Sequence, residues 1–113
     1  MRIRNVVQEF EVKLEPPPTS PQALARGKGE WKVYENGTRQ CKLSVTKLSL
    51  KDGTMLDLVV SDRRIARLVV QQGIVRYRQE SEKGESVPTV EENQLVQVVS
   101  SGQVILEGHF YSE

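Results

Sequence analysis

A single cysteine and a single histidine stand among the 113 residues. One thiol makes neither an internal disulfide nor a multi-cysteine zinc site, and one imidazole excludes any histidine pair. No apolar run approaches the roughly 20 residues that a membrane helix needs. No stretch holds an i, i+3, i+4, i+7 apolar pattern for three turns, so helix is nearly absent. The phosphate-cradling glycine loop, the HExxH zinc helix and the calcium-loop spacing are all missing. The sequence therefore supplies no cofactor site and no metal site. Aromatic residues are only 5% of the chain. Trp31, Phe10, Phe110 and Tyr77 lie on apolar faces, which leaves Tyr34 and Tyr111 as thin support for sugar binding. What remains is 37% hydrophobic and 27% charged, enough for one small soluble domain with a single core.

The charge is near zero overall but divided along the chain. Residues 1–78 hold 15 of the 16 basic and 8 of the 15 acidic residues, a net of +7. Residues 79–113 hold one basic residue, Lys83, and seven acidic ones, a net of −6. Such a split means either a basic surface for an anionic partner or two parts that neutralise each other.

The N-terminus lacks the continuous apolar stretch of a signal peptide. A native Met1 implies the cytoplasm, whereas a trimmed chain leaves an extracytoplasmic place open, so the compartment stays unassigned. Pro16, Pro17, Pro18 and Pro21 favour an extended, donor-poor linker over 16–21. This divides the chain into an N-terminal arm, 1–15, and a body, 22–113, within one domain overall. In the arm, Val6, Phe10, Val12 and Leu14 share one face against Glu9, Glu11, Lys13 and Glu15, the pattern of a half-buried strand. Such a strand must pair on its own body or on a neighbouring chain.

Period-two alternation runs through the body. It predicts about eight strands, at 4–14, 27–34, 38–50, 54–61, 64–71, 74–80, 94–99 and 103–111. A three-residue loop Glu35-Asn36-Gly37 sets Trp31 opposite Cys41 and keeps core faces together, with Gly37 in the left-handed position of a bulged type I turn. The same turn is expected at Lys51-Asp52-Gly53, pairing Leu48 with Leu56, and at Ser100-Ser101-Gly102, pairing Val98 with Val104 and Val96 with Leu106. A two-residue loop at Gln72-Gly73 pairs Val70 with Val75 and Leu68 with Tyr77. A phase slip between Val45 and Leu48 implies a bulge near Thr46 and Lys47. The longest irregular stretch is 81–88. Short strands with glycine turns point to an all-β, antiparallel, immunoglobulin-like β-sandwich, with an open barrel as second choice.

Three segments carry a resemblance. Asp52-Gly53-Thr54-Met55-Leu56, Val87-Pro88-Thr89-Val90 and Gly102 to Phe110 match D-G-T-x-L, V-P-x-V and G-x-V-x-L-x-G-x-F. Over about 27–110 the chain resembles a type of small bacterial β-sandwich domain, mostly uncharacterised, in which these motifs are turn and core positions. The resemblance implies the fold, and many such domains look exported. This chain departs from them by its 1–21 segment and by its lack of an export signal.

Few residues invite chemistry. Cys41 shares an apolar face with Leu43 and Val45 and reads as a buried, inert thiol. His109 faces outward with Glu107 and Tyr111; a hydrolase built on it is the remotest reading. Glu91 and Glu92 are adjacent, so in a strand they point to opposite faces and cannot work as a pair. The strongest polar signal is basic. The expected 64–80 hairpin sets Arg67 directly opposite Arg78, with Arg76 on the same face and Arg63 and Arg64 at its entrance. Like charges so opposed need an anion. The chain's own Glu80, Glu82, Glu85, Glu91 and Glu92 are the first candidates, and a polyanion such as nucleic acid is the second. Few stacking aromatics and near-neutral charge argue against nucleic acid. The expectation is a non-catalytic structural or protein-interaction module. It would contact a protein partner or itself, as a homo-oligomer, through sheet edges and the arm. Polyanion binding by Arg63, Arg64, Arg67, Arg76 and Arg78 is the alternative.

Overall fold

The computed structural model describes residues 5–113. Two antiparallel sheets pack face to face as a β-sandwich. The strands are β1 (Val6–Leu14), β2 (Arg26–Tyr34), β3 (Arg39–Thr46), β4 (Met55–Val60), β5 (Arg63–Val69), β6 (Val75–Glu80), β7 (Leu95–Ser100), β8 (Gln103–His109) and β9 (Tyr111–Ser112). One sheet has five strands in the order β6-β3-β2-β1-β9, the other four in the order β5-β4-β7-β8. The sheets do not close into the barrel held as second choice. No helix among the described residues is long and apolar enough to cross a membrane.

Alternation decides what goes inside. From β1 come Phe10, Val12 and Leu14, from β2 Trp31, from β3 Cys41, Leu43 and Val45. The facing sheet contributes Leu56, Leu58 and Val60, Leu68, Val96 and Val98, and both Ile105 and Leu106. Phe110 sits at the centre, edge-on to Trp31 at 5.0 Å and to Phe10 at 6.4 Å between ring centroids. Burying a side chain of this size is worth about 1.5–3 kcal/mol. The irregular stretch after β6 also feeds the core: Val87 and Val90 are buried there.

The segment read as an arm is a strand of the five-stranded sheet. β1 pairs with β2 from Val6 to Leu14, and Phe10 and Glu11 pair with β9 on its other side. A bulge between Val6 and Gln8 leaves Val6 exposed, while Phe10, Val12 and Leu14 reach the core. The proline segment is held against β8 by a hydrogen bond from Ser20 Oγ to the Ile105 carbonyl, 2.8 Å. Just before it, Glu15 and Glu107 exchange backbone hydrogen bonds of 3.0 and 2.9 Å, which join the two sheets.

The first hairpin has the expected register, with Trp31 opposite Cys41 and Gly29 opposite Leu43. Gly37, at φ +83°, takes the left-handed position of its turn. Three other expectations change. The strand expected at 38–50 stops at Thr46, and Lys47, at φ +60°, turns the chain toward the other sheet. The phase slip thus marks a change of sheet, and Leu48 and Leu56 do not form a hairpin pair. At Ser101-Gly102 both residues have positive φ, so the turn is two residues long. Val98 then faces Leu106 and Val96 faces Gly108, and a bulge after Val98 turns both Ile105 and Leu106 inward. The two-residue turn at Gln72-Gly73 forms, but only Gln71 and Ile74 pair across it. Beyond that bridge β5 enters one sheet and β6 the other.

Candidate interaction edge of the five-stranded sheet

This divergence corrects the arginine face. Arg67 does not oppose Arg78, because their strands lie in different sheets. Arg67 is opposite Asp57 of β4, and Arg78 is opposite Lys42 of β3. Asp57 lies 3.7 Å from Arg67 and 3.8 Å from Arg64 and serves both. Arg63 is exposed opposite Val60, with no ion pair among the described residues. Asp57, before residue 78, thus supplies the anion for two of the five arginines. The late acidic segment serves only Arg78, through Glu80.

β6 is an edge strand, so one side of its backbone faces no other strand. Its alternation buries Val75 and points Arg76 and Arg78 outward. Cross-strand register then builds two rows over the outer face. Lys28, Ser44 and Arg76 form one, and Glu30, Lys42 and Arg78 form the next. Together with Leu43 and Tyr77 they line an open groove of about 350 Å³. Four cations and one carboxylate border it.

Arg78 is held in place. The Gln40 amide oxygen accepts from it at 2.8 Å, while the amide nitrogen donates to the Tyr34 hydroxyl at 2.9 Å. Arg78 also lies 3.5 Å from Glu80, whose other oxygen binds Lys83 at 2.8 Å. The Lys83 hydrogen bond comes first among the contacts that hold the Glu80 carboxyl below the usual carboxylate range, despite its burial. Arg76 has no ion pair among the described residues.

The opposite edge of the same sheet is acidic. Glu9, Glu11 and Glu113 bring carboxylate oxygens within 4.8 Å of one another, the only such cluster among the described residues. The Tyr111 hydroxyl donates to Glu11 at 2.8 Å and keeps that carboxyl ionised, and the neighbouring Glu113 is pushed up by Glu11. Glu9, Glu91, Glu92 and Glu113 border a groove of about 480 Å³ that also contains Val7 and Gln8. Sequence reasoning missed this edge, although Glu9, Glu11 and the last residue were visible signals. Their juxtaposition depends on β9 folding back beside β1.

The two groups singled out for chemistry lie apart from both edges. Cys41 is buried between β2 and β6, where desolvation pushes its thiol up to about 11. His109 is exposed at the end of β8, and its imidazole has no hydrogen bond or ion pair among the described residues. Asp52, in the turn before β4, accepts from the Gln72 N–H at 2.7 Å. No protein-family model and no curated protein matches the chain.

Proposed function

We propose that this protein is a non-catalytic interaction module that takes an acidic, extended segment along β6. The observation that carries the reading is the β6 edge, closed at Glu80 by Glu85 but covered by no other strand, beside the groove of Lys28, Lys42, Arg76 and Arg78. An added strand would satisfy the open backbone groups, and its outward carboxylates would meet the cations. The pinned Arg78 guanidinium is already ordered, which lowers the entropic cost of contact. Against catalysis stand the buried thiol of Cys41 and the imidazole of His109, which has no hydrogen bond or ion pair among the described residues. The N-terminal strand supports the module from within, since Phe10, Val12 and Leu14 are spent on the core.

A peptide of alternating glutamate and threonine, titrated into isotopically labelled protein, tests this. Amide shifts are expected over Val75 to Glu80 and the facing half of β3, weakening steeply with salt. Unchanged β6 amides at millimolar peptide would end the proposal. Heparin binding that shifts side chains of the groove without protecting β6 amides would replace strand addition by general polyanion contact.

A further inference from the structure

Edge β6 and the edge formed by β1 and β9 belong to one sheet and carry opposite charge. At β6 the outward groups are Arg76 and Arg78, with Lys42 behind them. At the far edge they are Glu9, Glu11 and Glu113, with Glu91 and Glu92 beside them. That far edge is only partly covered. β9 is two residues long and pairs with Phe10 and Glu11, so Val6, Val7 and Gln8 have no strand on that side. Val7 is 58% exposed there.

We infer that the acidic segment received by β6 is the β1–β9 edge of a second copy of this chain, joined head to tail. The inference rests on the strand-addition reading above and names its partner. Three observations carry it. Pairing β6 with another β6 would set Arg76 and Arg78 against the same arginines, and pairing the far edge with itself would cluster carboxylates. Both two-fold arrangements oppose like charges, whereas the head-to-tail one matches opposite charges. Strand direction agrees. β1, β2, β3 and β6 alternate antiparallel, so when the sheet is simply continued β6 of one copy runs antiparallel to the uncovered Val6–Gln8 stretch of the next copy's β1, with the two-residue β9 parallel to it. Finally, the near-zero total charge allows copies to approach without net repulsion.

A head-to-tail contact leaves one free edge of each kind at the two ends. Copies therefore add without limit, and sheet twist turns the stack into an open helical array. Sedimentation of the full chain at rising concentration in low salt tests this. The mean mass is expected to climb without a plateau and to fall back to that of one chain at about 0.5 M salt, where charges are screened within a few ångströms. R76E/R78E changes exposed groups at one edge, and E9K/E113K changes the half-buried Glu9, paired with Lys32, and the exposed Glu113 at the other. Each variant alone should sediment as a single chain, and an equimolar mixture should regain association at least about tenfold above either. A constant single-chain mass for the native protein in low salt overturns the inference, even where the glutamate peptide still binds β6. A closed dimer of fixed mass also overturns it, as does association that persists in R76E/R78E. Circular dichroism melts of both variants establish that loss of association is not loss of fold.

Discussion

Gly108 of β8 passes so close to Lys13 of β1 that a Cβ placed on it would overlap the Lys13 carbonyl oxygen and lie 3.1 Å from Val12 Cγ2. The Glu15–Glu107 backbone bonds lie one residue away on β8. The two sheets are therefore drawn together at this corner by the absence of one side chain. Changing Gly108 to Ala should cost about 3 kcal/mol, because backbone rather than a flexible side chain must give way. A urea melt should show a lower midpoint with an unchanged slope, and an unaltered midpoint would contradict the packing described.

Removal of residues 1–14 should abolish cooperative folding rather than release a tail. The deletion takes Phe10, Val12 and Leu14 from the core and leaves β2 paired on one side only, with β3. Val12→Ala alone should cost about 1–3 kcal/mol, since the site has no solvent access into which it can relax. Dispersed amide spectra from the truncated chain would refute this.

Acid should weaken the β6 end of the sandwich through Glu80. Its folded pKa is depressed, chiefly by Lys83 and then Arg78. Its stabilising contribution is therefore present above the unfolded value of about 4.3 and disappears as pH falls through the lower folded value. The Glu80→Gln protein should melt lower at neutral pH and show a flatter dependence below about pH 4.3. Parallel melting curves for the two proteins across that window would remove Glu80 as a contributor.

Cys41 should resist thiol reagents until the protein unfolds. With the thiol raised to about 11, the thiolate at pH 8 is on the order of one part in a thousand, and the sulfur is buried. Labelling with a disulfide reagent should follow the global unfolding rate and accelerate sharply in urea. Rapid stoichiometric labelling of the native chain would show that this part of β3 is open to solvent.

Trp31 reports on the same core. Its indole nitrogen is buried beside Phe110, with no hydrogen-bond partner among the described residues. Trp31→Phe loses packing but no hydrogen bond, so it should cost less than the roughly 3–5 kcal/mol of Trp31→Ala. A Trp31→Phe loss as large as that of Trp31→Ala would mean that the indole nitrogen makes a bond that both variants lose.

The class of fold, the core stripe of each strand and the first hairpin were legible because side-chain alternation has period two. A register error flips a whole strand to solvent, so Trp31 opposite Cys41 follows from residue types alone. Which sheet a strand joins is another matter. Val70 and Val75 alternate equally well in one hairpin or in two sheets, and the Leu48–Gly73 backbone hydrogen bond and the pairing of Leu56 with Leu68 separate the choices. That choice moved Arg67 beside Asp57 and left Arg78 with Gln40 and Glu80.

Period-two alternation by itself determined an all-β sandwich, and one cysteine and one histidine by themselves excluded an internal disulfide and a histidine pair. Where the charges meet was decided only in three dimensions. Strand pairing is a contact between residues far apart in the chain, and local pattern carries no information about which distant strand supplies the partner. The return of β9 to β1 and the parting of β5 from β6 turned an even balance of 16 basic and 15 acidic residues into one cationic and one acidic edge of the same sheet.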